Sequence, residues 1–212
     1  MGKQQSLPVK IFLAVTALLG WFALTAQFYI NINSGLAPLP ELVTRYFSYF
    51  TILTNLIVAV CSTILLLAPG SKWGQFFSKP QTLTAITVYI LIVGLIYNVI
   101  LRFLWKPEGL QMIVDELLHS IIPVLFLLFW LLFVVKDKLQ WKNVWPWLIY
   151  PLVYIICVLI RGSLSGFYPY PFIDMTQLGL SKVLINSAGI AVLFILMSFL
   201  FVGIGRFITK KK

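Results

Sequence analysis

The chain carries one histidine, two cysteines and six acidic residues, and charged residues of both signs make up only 10% of its 212 positions. Each scarcity removes a class of function. With charge this thin and 60% of the residues hydrophobic, the polar surface is too small to enclose a water-soluble globule. A lone histidine, with no CxxC pair and no HExxH, leaves no spaced metal-ligand set, and neither a Gly-rich phosphate loop nor a GxSxG elbow occurs. No metal or organic cofactor is expected. No internal repeat is evident, which gives an inverted-repeat transporter no support.

Cys61 and Cys157 fall in apolar runs of opposite direction, roughly 20 Å and about 6 Å below one membrane face at ~1.5 Å per residue. A disulfide tolerates Cα separations of only about 7 Å, so the two are expected to stay unpaired as small core residues.

What the chain has in abundance is long apolar runs. Six of them approximate residues 9–31, 47–68, 83–104, 112–135, 144–161 and 181–205. About 18 or more apolar residues cross a ~30 Å hydrocarbon core as a helix, and a helix leaves no backbone group unpaired there. The loops between them are short and carry Pro, Gly, Lys and interfacial aromatics such as Trp73, Trp105, Trp141 and Trp145. The expectation is an all-α polytopic membrane protein, one six-helix transmembrane domain over residues 1–212. The first run exceeds the usual core of a cleavable signal and reads as a retained helix. The start, MGKQQS, fits the loose N-myristoylation pattern, which short sequences meet readily by chance.

Positive charge sets the expected orientation, because Lys and Arg in short loops stay on the cytoplasmic side. Lys3, Lys10, Lys72, Lys79, Lys136, Lys138, Lys142, Arg206 and Lys210 to Lys212 share one side, eleven cations in all. Arg45, Arg102, Lys106, Arg161 and Lys182 make five on the other, together with every acid except Asp137. Both termini are therefore expected in the cytoplasm, with the cell membrane the expected location. The net charge of +10 is topological on this reading and implies no nucleic-acid partner.

Costly polar residues inside membrane helices face a bundle interior or a cavity and mark function. Here they gather in the outer leaflet. At ~1.5 Å per residue Thr51 lies about 6 Å deep, Asn98 and His119 about 10 Å, Asn186 about 8 Å and Asp115 about 5 Å, with Arg102 and Arg161 capping the layer. In the segment DELLHSIIP, Asp115 and His119 share a helix face at spacing four, and Glu116 and His119 at spacing three. A carboxylate there can orient the imidazole as a catalytic base, and Asp115 is the better stacked of the two. A buried polar network with no catalytic role has the same composition. In FTILTN, Thr51 and Thr54 offer hydroxyls and Asn55 an amide; a hydroxyl beside a histidine base is the smallest activated nucleophile.

The order of FTILTN, HSIIP and SGFYPYPF resembles the androgen-induced-protein-like family of multi-pass membrane proteins, over roughly residues 45–205. The resemblance implies a threonine hydrolase acting on fatty acid esters of hydroxy fatty acids. It puts the nucleophile on Thr51, the base on His119, the following proline on Pro123, and the later motif on Gly166, Tyr170, Pro171 and Phe172. The chain departs from the animal members at Asp115 and Glu116, where they carry Asn and His, and at Gly162 and Ser163, where they carry paired histidines. The expected function is hydrolysis of a membrane lipid ester by Thr51 and His119, supported by Asp115, Glu116, Thr54, Asn55, Asn98 and Asn186. Arg102, Arg161 and Tyr170 are the expected substrate-binding residues. The rival is a lipid-binding or transport protein that uses the same pocket without chemistry.

Overall fold

The computed structural model describes residues 5–210, and among them no strand occurs. In chain order the α-helices are α1 (Leu7–Ile32), α2 (Leu39–Tyr46), α3 (Phe50–Leu67), α4 (Lys72–Phe77), α5 (Pro80–Val99), α6 (Gly109–Glu116), α7 (Ile122–Phe133), α8 (Val144–Trp147), α9 (Ile149–Ser165) and α10 (Met175–Lys210). The N-terminal MGKQQS pattern lies mostly outside the described residues, as do Lys3, Lys211 and Lys212 of the cation tally.

Among the described residues, six stretches are long and apolar enough to cross a membrane: Leu7–Ile32, Phe50–Leu67, Pro80–Phe103, Gly109–Phe133, Trp141–Ser165 and Met175–Lys210. They match the six apolar runs. The largest difference is at the last, where α10 begins before residue 181 and runs past 205, with a break at Gly179, whose φ of 74° suits a residue without Cβ. Leu18, Leu132, Leu164 and Ile185 point outward, an apolar exterior that suits lipid and not water.

Burial ranks the spans. In the Pro80–Phe103 stretch 67% of the apolar window is buried, against 17% for Trp141–Ser165, so α5 is the axis of the bundle and α9 its outermost wall. The α1 and α3 backbones approach at Gly20, where an added Cβ would lie 3.1 Å from that of Ala59, the small-residue contact that membrane helices use in place of a hydrophobic driving force. At the far end of α7, buried Lys136 donates to the carbonyls of Trp130 (2.8 Å) and Val134 (2.6 Å). A cation there adds a donor to the Trp130 carbonyl, which already accepts the Val134 amide, and also reaches the Leu131 carbonyl at 3.2 Å in the last turn.

Candidate functional site

The site is built on an irregularity between α6 and α7. Pro123 has no N–H to give the carbonyl four residues back, and its ring crowds that carbonyl. The helix responds by widening into a π turn over Leu117–Ile121, in which the Ile122 amide bonds the Leu117 carbonyl. Two carbonyls, those of Leu118 and His119, are thereby left without their usual amides. Asn55 Nδ2 donates to Leu118 O at 3.2 Å and Asn98 Nδ2 to His119 O at 3.1 Å. These two expected polar residues thus serve the backbone of the π turn. Gly94 completes the fit: a Cβ there would stand 2.9 Å from His119 O, so only glycine lets α5 lie this close.

The turn presents His119 beside Asp115. His119 Nδ1 lies 2.9 Å from the Asp115 carbonyl oxygen and 3.3 Å from its Oδ1. With a proton on Nδ1 shared between these acceptors, Nε2 keeps the lone pair. The Tyr97 hydroxyl donates to Asp115 Oδ2, and the Tyr97 ring stacks on the imidazole with centroids 3.9 Å apart and planes at 14°. Asp115 is buried, and these partners offset the cost of keeping a carboxylate there. Glu116 turns elsewhere, to Arg102 Nη2 at 2.6 Å, and Arg102 also reaches Ser120 Oγ at 3.1 Å.

Thr51 is the second residue of α3, a helix whose N-cap, Tyr49, supplies no capping side chain. Two phenols take that role. The Phe50 amide donates to Tyr154 Oη at 3.2 Å and the Thr51 amide to Tyr170 Oη at 3.2 Å, while the Thr51 and Tyr170 hydroxyls lie 3.3 Å apart. Thr54, one turn on, is fully buried and paired with Tyr150 Oη at 3.0 Å.

Tyr170 is delivered by the loop after α9, and three contacts hold that loop. Gly166, at φ 73°, ends α9 in the left-handed conformation and turns the chain. Phe167 lies against the guanidinium groups of both Arg45 (4.5 Å) and Arg161 (5.0 Å), and each of these pairs with Glu41 at 2.8 Å. Asn186 Nδ2 donates to Phe172 O at 2.8 Å. The Arg45 guanidinium, with Arg161 behind it, holds the Glu41 carboxyl below the usual carboxylate range.

Two cavities meet at this point. One of about 350 Å³, of mixed polar and apolar lining, includes Thr51, Tyr97, Asp115, His119 and Tyr170, together with Gln27 and Gln111. The second, about 280 Å³, is lined almost wholly by apolar side chains of α3, α5, α9 and α10. Thr51, Tyr97, Leu101 and Tyr170 line both. Thr51 and His119 therefore face one cavity, with no direct hydrogen bond between them. Thr54, Arg102 and Arg161 line neither. Tyr97 is the residue the sequence did not mark, since nothing in the apolar run around it distinguishes it from a core aromatic.

No family model matches the chain, and no curated protein or solved structure matches it.

Proposed function

We propose that this protein is a multi-pass membrane hydrolase of fatty acyl esters, with Thr51 as nucleophile and His119 as general base. The observation that carries the reading is that Thr51 and an Asp115-tethered His119 line one cavity beside an apolar chamber. The resemblance to the androgen-induced-protein-like family, with its esters of hydroxy fatty acids, agrees with it.

In the proposed sequence His119 Nε2 takes the Thr51 proton, directly or through one water, as Thr51 Oγ1 attacks the ester carbonyl carbon. The alkoxide that leaves takes that proton from His119, and an acyl-Thr51 ester remains. Water then attacks the acyl carbon, again with His119 as base, and releases the fatty acid and the free hydroxyl. Asp115 steadies the imidazolium formed in each half. Tyr170 donates toward the reacting oxygen, while Arg102 and Arg161, paired with Glu116 and Glu41, act on substrate only at a distance.

The termini face the cytoplasm in this reading and the site opens in the outer leaflet of the cell membrane, as the eleven-to-five division of cations favours. A reporter that fluoresces only in the cytoplasm should light when fused to the C terminus and stay dark when inserted beside Asp174; the reverse pattern overturns the orientation. A fluorophosphonate probe should label the wild-type protein and fail on Thr51→Ala and His119→Ala. A binding or transport protein, having no activated hydroxyl, gives no label in any of the three.

A further inference from the structure

The apolar chamber has an opening of its own. Leu152 on α9 and Ala191 on α10 line it and are also exposed on the outside of the bundle, Leu152 by 57%. That exposure is on the lipid-facing wall, since α9 is the least buried span. The chamber also runs along α10: its lining on that helix extends from Ser187 to Ile195, roughly 12 Å at ~1.5 Å per residue. Thr51 and Tyr170 line it too, at the end nearer Ser187, and are shared with the cavity that holds His119.

We propose that α9 and α10 frame a lateral portal through which an ester's acyl chain slides in from the bilayer, and that the chain is held in this chamber during reaction. The inference rests on the hydrolase reading and adds the route and the chain's seat. A chain lying between these walls keeps the direction it has among the lipids, so it stays in an apolar medium from bilayer to site and only its ester end meets polar groups. The carbonyl arrives at Thr51 from the apolar side, and the alcohol part projects into the cavity that holds His119. Binding through this portal selects chain length, because each methylene that enters leaves lipid for a shaped wall, and a chain too short to reach from Ser187 to Ile195 forgoes those contacts.

The test compares a palmitoyl ester with the acetyl ester of the same alcohol, using purified protein in nanodiscs. Ala191→Phe, which narrows the mouth, should lower the palmitoyl-to-acetyl ratio of kcat/KM at least tenfold. Val192→Phe, on the adjacent lipid-facing position (52% exposed) and outside the chamber lining, should leave the ratio unchanged. An unchanged ratio in Ala191→Phe overturns the portal. A palmitoyl ester with a diazirine near the chain's end provides a readout that needs no turnover: crosslinks on Leu152, Ile190 or Phe194 support the seat, and crosslinks confined to other faces of the bundle overturn it. If wild type cleaves neither ester, the hydrolase reading fails and the crosslink pattern alone decides the portal.

Discussion

Tyr97 touches both halves of the Asp115–His119 pair, its hydroxyl on the carboxylate and its ring on the imidazole. Tyr97→Phe separates these contacts, since it keeps the stacked ring and removes the donor. Ester turnover should fall by about ten- to a hundredfold, in keeping with ~1.5–3 kcal/mol for a hydrogen bond to a charged group, while KM holds. Equal kcat in the two proteins would make the phenol a packing group. The neighbouring acids are expected to differ sharply. Asp115→Asn should lower kcat by orders of magnitude with expression intact, because the amide no longer steadies an imidazolium. Glu116→Gln should change kcat little, because Glu116 faces Arg102. A reversed ranking in steady-state kinetics would transfer the orienting role to Glu116. Residue types were the legible part of the site: His119 and Asp115 stand out because ionisable groups are rare in these helices, whereas Thr51 was singled out from several hydroxyls by the family resemblance alone. Tyr97 was not legible, since an aromatic within an apolar run reads as core until its hydroxyl's partner is seen.

Helices that cross a membrane announce themselves by length and apolarity, which is why all six runs were readable. Short elements carry no such mark. Leu39–Tyr46 begins within a Pro-rich stretch that reads as a loop, and Lys72–Phe77 has six residues. The π turn is harder still, because its stability comes from Asn55 on α3 and Asn98 on α5, far away in sequence. Pro123 was visible, but its consequence was not. Pro123→Ala restores an amide to the His119 carbonyl, so the turn should relax toward α-helix and release the Asn98 amide. The expected result is a loss of turnover of at least about tenfold, as positioning errors of ~1 Å cost more than this. The thermal midpoint should hold or rise, since proline inside a helix is itself unfavourable. A fully active variant would show that the turn does not aim the imidazole. Gly94→Ala tests the same contact from α5 and should cost about 1–3 kcal/mol through overpacking, read as a lower midpoint in detergent.

Across the whole molecule, the loop bearing Tyr170 is tied to α2 and α9 through Glu41, Arg45 and Arg161. Because the folded Glu41 carboxyl titrates below its unfolded value, its contribution is complete above about pH 4.3 and is lost as pH falls through the lower folded value. Activity regained after brief acid exposure should therefore be insensitive to that exposure down to about pH 4 and decline below it. Glu41→Gln should flatten this acid limb, and an unchanged limb would assign it to another carboxylate. The arginines show what charge counting leaves open. Arg102 and Arg161 were readable as outer-layer cations, but their partners Glu116 and Glu41 follow from three-dimensional placement alone.

The two phenols that cap α3 also decide the electric field at its end. A carboxylate in their place would cancel the roughly half a positive charge that aligned peptide dipoles accumulate at a helix N-terminus. Tyrosine hydroxyls satisfy the amides of Phe50 and Thr51 and leave that partial charge standing. Thr51 Oγ1 sits in the first turn, so if Thr51 is the nucleophile as proposed, negative charge on its tetrahedral adduct would develop against a fixed positive pole. In the proposed hydrolysis the cap would thus supply transition-state stabilisation that no side chain near Thr51 has to carry as a formal charge, and an aspartate at position 49 would extinguish it while improving the helix.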